Sequence, residues 1–172
     1  MSASAPAMEA SKVMGWTYPG SAMLAIRVYN KPMMLPAIWW MTDETRLADP
    51  VPVLARLPRG AAVILRHYGI SERKPLALKM AHACRRLGLF LLIAGSWRLA
   101  AAAGAAGLHM PEHQTPEPGA RLWRKQGRRL LTASAHGPRG LARARMLRAD
   151  ACLLSPIHPT ASHPGRKVLG TT

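Results

Sequence analysis

Acidic side chains are scarce in this chain of 172 residues: Asp and Glu together number 8, against 24 Lys and Arg. The formal net charge of +16 favours polyanionic partners such as nucleic acid, phosphorylated metabolites or an acidic membrane. GC-rich coding is an equally open explanation of the positive charge, because arginine outnumbers lysine and alanine is abundant. The charge therefore narrows the class of partner without choosing one.

Cysteine is scarce as well, and the two that occur, Cys84 and Cys152, have neither CxxC nor metal-type spacing. This excludes a disulfide framework and predicts reduced, chemically idle thiols. The expected location is the cytoplasm.

Several sequence motifs are missing. The chain has no GxGxxG, P-loop, HExxH or GxSxG pattern, so dinucleotide-binding, NTPase, zinc protease and α/β-hydrolase functions have no support.

Long apolar runs are also lacking, because the best candidate, residues 87–108, has Arg98 at its centre and consists mostly of Ala and Gly elsewhere. A central arginine costs about 2.5–3.5 kcal/mol on insertion, so the run predicts two soluble elements and no membrane span.

What the chain does have is an alternation of short apolar runs and longer amphipathic segments that begins near residue 37. The runs predict six strands, and the segments between them predict helices, the clearest at 73–87 with Gly88 ending it. Such alternation indicates βαβ units and a parallel sheet. The predicted strands are 37–43, 61–66, 89–93, 107–109, 130–134 and 151–154, and the other predicted helices include 50–57, 97–103 and 138–147.

Residues 1–36 differ in amino-acid composition from the rest of the chain and are predicted to form an irregular N-terminal extension. A poorly ordered segment, a start codon assigned upstream of Met33 or Met34, and a weak targeting peptide are the alternatives left open.

Polar side chains follow nearly every predicted strand, and in parallel α/β folds ligands bind at that carboxyl edge. They include Thr42, Asp43, Arg66, His67, Gly95, Ser96, His109, Ser134 and His136.

The motifs over roughly residues 37–170 occur in the order and spacing of a known family. They are "TD" at 42–43, the arginine of "ILRHY", "LLIAGSWRLAAAAGAAGLHMPE", "TASAHG" at 132–137 and "ADACLLSPIHPTASHPG" at 149–165. In this order they resemble the thiamine phosphate synthase/TenI family of (β/α)8 barrels. The resemblance implies an α/β fold, an incomplete TIM-type barrel of about six units over residues 37–172, with the last two strands missing.

The resemblance also implies a site. It assigns anionic oxygens of a phosphorylated thiazole or pyrimidine to Arg66, Ser134, Thr160 and Ser162, with His163 at the family's lysine, and proton transfer to His136. A loop histidine that caps the following helix is the structural alternative for His136. Open sheet edges would be covered by a second copy of the chain, by the N-terminal segment, or not at all.

Synthases of this family hold Mg²⁺ with two aspartates, for which this chain has Gly95 and Ala106. The resemblance therefore implies a degraded Mg²⁺ site and either metal-free, tautomerase-like chemistry or no activity; Mg²⁺ is expected only if the alternative of an active synthase holds.

Two other patterns carry competing interpretations. His109 and His113 have the i, i+4 spacing of paired metal ligands, but Pro111 blocks a helix and favours two loop histidines. The basic run 121–129, "RLWRKQGRR", is typical of a nucleic-acid-binding module, whereas the favoured interpretation is a solvated helix face with Trp123 turned inward.

Overall fold

The computed structural model describes residues 24–27, 35–127, 129–157 and 168, and for 24–27 it describes the backbone alone. Its seven strands in these ranges form one sheet. They are β1 (Leu24–Arg27), β2 (Trp39–Met41), β3 (Ala62–Leu65), β4 (Phe90–Ala94), β5 (Gly107–Met110), β6 (Leu130–Ala135) and β7 (Ala151–Leu154).

The spatial order of the strands is β1-β7-β6-β5-β4-β3-β2. Strands β2 to β7 are parallel, each paired with the next along the chain, while β1 is antiparallel to β7 with Leu24 opposite Leu154. The six parallel strands alternate with helices and form a half-barrel, which confirms the predicted α/β architecture. The edge of β7 is paired with a strand from the N-terminal segment, one of the alternatives that the sequence left open.

The helices that follow the strands are α1 (Arg73–Leu87), α2 (Trp97–Ala103), α3 (Pro118–Lys125) and α4 (Pro138–Met146), and a 3-10 helix spans Val51–Arg56. Helix α1 ends at Gly88, whose φ of 68° is left-handed and therefore suits glycine. In α3, Trp123 is buried while Arg121 and Lys125 are exposed, which confirms the predicted inward tryptophan of the basic run.

The strand period of two residues divides the sheet into two faces with different roles. Val63, Leu65, Ile93 and Leu108 point to the helices and join their buried residues in one large core. The alternate residues point to the concave face, where a second apolar cluster forms. Its members are Ala62, Ile64, Leu92, Ala94, Leu130 and Leu153, packed by Leu35, Trp39 and Met41.

The thiols and the apolar run behave as the sequence predicts. Cys84 and Cys152 are both buried, and burial raises the pKa of each thiol to about 11, so both are protonated at neutral pH. The run 87–108 divides among α1, β4, α2 and β5, and Arg98 lies exposed on α2 in an ion pair with Glu117. None of the helices within the described ranges is long and apolar enough to cross a membrane.

Candidate functional site at the carboxyl rim of the sheet

The polar residues that follow the strands divide between the two faces of the sheet. By strand alternation, Thr42 and His67 are on the helix-facing side, and both are buried. Thr42 Oγ1 accepts the Arg66 amide at 2.9 Å and lies 2.9 Å from His67 Nδ1, while His67 Nε2 donates to the Leu47 carbonyl at 3.1 Å. All polar atoms of this pair are bonded within the protein, so it holds loops together and is unsuited to ligand binding.

A second hydrogen-bonded chain crosses the concave face between β5 and β6. His109 Nδ1 lies 2.8 Å from Thr132 Oγ1, and His109 Nε2 lies 2.8 Å from Ser134 Oγ. His109 is 1% exposed, and burial, helped by the Arg66 charge, lowers its pKa to about 3. The imidazole is therefore neutral at physiological pH. His109 lies in a strand, as the predicted strand 107–109 has it, and the interpretation as a loop histidine is wrong.

His136 lies one residue beyond the end of β6, on the same face, and has a different environment. Its Nδ1 donates to the Ser155 carbonyl at 2.7 Å, because a carbonyl oxygen can only accept. Its Nε2 lies 4.0 Å from Glu112 Oε2, and the same carboxylate oxygen accepts the His136 amide at 2.6 Å. Both side chains are 29% exposed. The imidazole is thus held in one orientation, beside a carboxylate and within reach of solvent.

The alternative role of His136 as a helix cap does not match this geometry. The N-cap residue of α4 is Gly137, and no side chain caps that helix. The neighbouring α2 is different, because Ser96 Oγ accepts the Leu99 amide at 3.2 Å. Ser96 is therefore a capping residue. His136 is instead held by the Ser155 carbonyl, just after β7, and by Glu112 in the loop after β5.

Positive charge gathers where β3 and β4 end. Arg66 follows β3 on the concave side, and Arg73 of α1 donates from Nη2 to the Ala94 carbonyl at 2.6 Å. The Arg73 guanidinium lies 5.0 Å from the centre of the Tyr68 ring. Burial raises the pKa of Tyr68, partly offset by Arg66 and Arg73, so its hydroxyl stays protonated as a potential donor.

A divalent metal site of the kind that the resemblance implies does not fit this rim. Gly95 follows β4 with a φ of 76° and has no side chain to bind an ion. Ala106 precedes β5, and its amide donates to the Leu91 carbonyl near the start of β4. Positions 95 and 106 therefore lie at opposite ends of the strands, roughly 13 Å apart for four residues of strand. In this fold, side chains at these two positions could not reach one shared ion.

The carboxylates that do lie at the rim are engaged by main-chain donors. Asp43 Oδ1 accepts the Thr45 amide at 3.0 Å and the Thr45 hydroxyl at 2.7 Å, and these bonds lower the Asp43 pKa. Glu44 accepts the Gly69 amide, and Glu112 accepts that of His136. Among the described residues, no three His, Cys, Asp or Glu side chains are placed to hold a metal ion.

The structure brings several predicted residues to one face. Arg66, Ser134 and His136 all lie at the carboxyl ends of strands on the concave side, with Ser134 bonded to His109. Thr160, Ser162 and His163 lie outside the described residues. The sequence reasoning missed Glu112 and Arg73 as contributors. Glu112 comes two residues after the end of β5, as Asp43 does after β2, so the rule that selected Asp43 also applies to Glu112.

A half-barrel of parallel strands with an apolar floor and a polar carboxyl rim gives this chain the fold of a (β/α)-barrel protein. A family model described as thiamine monophosphate synthase matches residues 42–172. The chain belongs to the thiamine monophosphate synthase family, which confirms the resemblance seen in its motifs.

Individual relatives agree with this assignment. A curated protein of Geobacter sulfurreducens, named "Putative thiamine-phosphate synthase", is 40% identical over 89 residues, covering 49% of this chain and 41% of that protein. A solved thiamine phosphate pyrophosphorylase from Pyrococcus furiosus superposes with a TM-score of 0.62 at 17% identity, covering 78% of this chain and 65% of that one. At that identity the structural match supports the fold alone. The chain spans about two-fifths of the curated relative and just under two-thirds of the solved structure.

Proposed function

We propose that this protein acts in thiamine biosynthesis by binding a phosphorylated thiazole or pyrimidine at the carboxyl rim, and that His136 transfers a proton on the bound ligand without a metal ion. Family membership supports the ligand class. The observation that carries the chemistry is the orientation of His136, whose Nδ1 is committed to the Ser155 carbonyl at 2.7 Å.

This commitment fixes the tautomer of the neutral imidazole. Because Nδ1 carries the proton, Nε2 presents its lone pair, as a general base requires. Glu112 Oε2 lies 4.0 Å from Nε2, and its charge stabilises the imidazolium that forms when the proton is taken. Tautomerisation needs the proton to be taken from one ligand atom and returned to another, which one exposed imidazole can do.

The remaining rim residues suit recognition of the anionic end of the ligand. Arg66 provides a fixed positive charge on the same face, and the Ser134 hydroxyl lies between His109 and the rim. Arginine binds phosphate through paired N–H donors, so Arg66 is the first candidate for the phosphate. Thr160, Ser162 and His163 belong to the same proposal through the family resemblance.

Two assays separate this proposal from its competitors. The purified chain is incubated with the phosphorylated thiazole in excess chelator, and conversion between its tautomers is followed by absorbance and proton NMR. In parallel, pyrophosphate release from hydroxymethylpyrimidine diphosphate and thiazole phosphate is measured over a range of Mg²⁺ concentrations.

Tautomer conversion in chelator, without Mg²⁺-dependent pyrophosphate release, is the expected result. Release that requires Mg²⁺ would establish the synthase reaction that the relatives' names suggest and refute metal-free chemistry as the main activity. Ligand binding by calorimetry with neither reaction would leave a non-catalytic binding protein, and the absence of binding would refute the whole proposal.

A further inference from the structure

A groove of about 490 Å³ lies in the helical layer, between α3 and α4, on the opposite side of the sheet from the concave face. Arg121 comes from α3, and Arg139 and Arg143 come from α4. Ala142, Met146 and Leu147 form its apolar part. Thr115 and Pro116, from the loop after β5, complete the lining. The groove therefore borders the rim on its helical side, but Arg66, Ser134 and His136 are not among its lining residues.

The positive charge of the groove is not neutralised by the protein. Within the described ranges, Arg121 and Arg139 are exposed and make no hydrogen bond or ion pair, and no carboxylate lines the groove. Arg143 donates from Nη1 to the Pro111 carbonyl at 3.1 Å, while its Nη2 is buried without a hydrogen-bond partner. Three guanidinium groups at one concave surface repel one another unless an anion lies between them.

The apolar part of the groove points to more than a bare anion. Met146 is 80% exposed, which is unusual for a large apolar side chain on a helix that otherwise buries its apolar face. Leu147 and Ala142 continue this apolar surface. A ligand with a charged head and an apolar body would satisfy both parts at once.

We propose that this groove binds a small phosphate monoester with an apolar, aromatic or alkyl, body. Arg121 and Arg139 supply exposed donors for the phosphate oxygens, Arg143 adds an uncompensated positive charge, and Met146 covers the apolar body. The volume lies in the range of small-molecule sites, about 300–1,000 Å³. A nucleic acid binds along an extended basic surface, whereas these three arginines line one groove, which favours the small ligand.

Calorimetric titration of the full chain with phenyl phosphate tests the proposal. Phenyl phosphate is expected to bind at least about tenfold more tightly than inorganic phosphate, because only the former fills the apolar part. Arg121→Ala and Arg139→Ala are each expected to weaken binding about tenfold through the loss of charge-assisted hydrogen bonds. Both side chains are exposed and unpaired in the described structure, so the variants should fold normally.

Arg145→Ala is the matched control, because Arg145 is an exposed arginine of α4 that does not line the groove. Unchanged affinity in this variant supports the proposal. An equal loss of affinity in Arg145→Ala would mean that diffuse positive charge attracts the ligand. A loss of affinity confined to Arg66→Ala would mean that the ligand binds at the rim. Either result overturns the proposal. The proposal would also be overturned if phenyl phosphate did not bind, or if a single-stranded oligonucleotide bound more tightly and displaced phenyl phosphate.

Discussion

Two histidines of the concave face, His109 in β5 and His136 just after β6, have opposite environments although they belong to neighbouring strands. His109 is enclosed, and both of its ring nitrogens meet hydroxyl groups of β6. His136 is 29% exposed, with one nitrogen held by a main-chain carbonyl and the other facing a carboxylate. The position of each histidine relative to the strand end therefore decides its environment: the interior imidazole is bonded to hydroxyl groups on both sides, and the rim imidazole is accessible to solvent.

The largest expected effect concerns the rim. His136→Ala should lower the rate of tautomer conversion about 100-fold or more, because a positioned general base contributes about 10²–10⁴ in rate. Steady-state kinetics with the thiazole substrate measures it, and His113→Ala, an exposed histidine in the loop after β5, is the matched control. An unchanged rate in His136→Ala with wild-type melting temperature would remove His136 from the mechanism.

The second prediction concerns the interior histidine and pH. Because the folded pKa of His109 is about 3 and the unfolded pKa is near 6.5, acid protonates the unfolded chain first and favours unfolding. The stability contributed by neutral His109 is complete above about pH 6.5 and declines as the pH falls toward 3. The expected loss from pH 7 to pH 5 is about 2 kcal/mol.

Urea unfolding at both pH values measures this loss. In His109→Gln the difference between pH 7 and pH 5 should shrink by that amount, whereas in His82→Gln, an exposed histidine of α1, it should stay as in the wild type. Equal pH dependence in the wild type and His109→Gln would contradict the buried, neutral imidazole.

The third prediction concerns Ser134, which lies between the two regions. Ser134→Ala leaves His109 Nε2 without its partner at 2.8 Å, so unfolding free energy should fall by about 1–2 kcal/mol. Ser71→Ala, at an exposed serine before α1, is the control and should change stability little. If Ser134→Ala weakened ligand binding without loss of stability, the hydroxyl would serve the ligand and not His109.

The smallest effect is expected at Glu112. Glu112→Gln keeps the shape and an acceptor for the His136 amide but removes the charge 4.0 Å from Nε2. Because both groups are partly exposed, the rate should fall only about fivefold. Glu72→Gln, at an exposed position before α1, controls for net charge. A rate above that of the wild type would mean that the carboxylate restrains His136 and does not assist it.

Much of the fold could be predicted from periodicity. Helices 73–87 and 97–103 have the predicted bounds, and the strands agree within one residue except at 37–43, of which only 39–41 are paired. These elements are predictable because a buried face leaves a period of 2 or 3.6 in the sequence. The pairing of β1 with β7 was only one open alternative, because a four-residue edge strand joined by main-chain bonds leaves little trace in side-chain pattern.

For the site, the sequence by itself determined which side chains lie at the carboxyl edge, because each stands at or just after the end of an apolar run. Arg66, Ser134 and His136 were selected in this way. Only the tertiary structure decided which of the edge residues face the ligand side and which are already satisfied. Thr42 and His67 bond to each other, His109 lies buried between two hydroxyls, and Ala106 belongs to the other end of the sheet. The physical reason is that hydrogen-bond partners and burial come from strands 20 or more residues apart in sequence, so no local pattern can encode them.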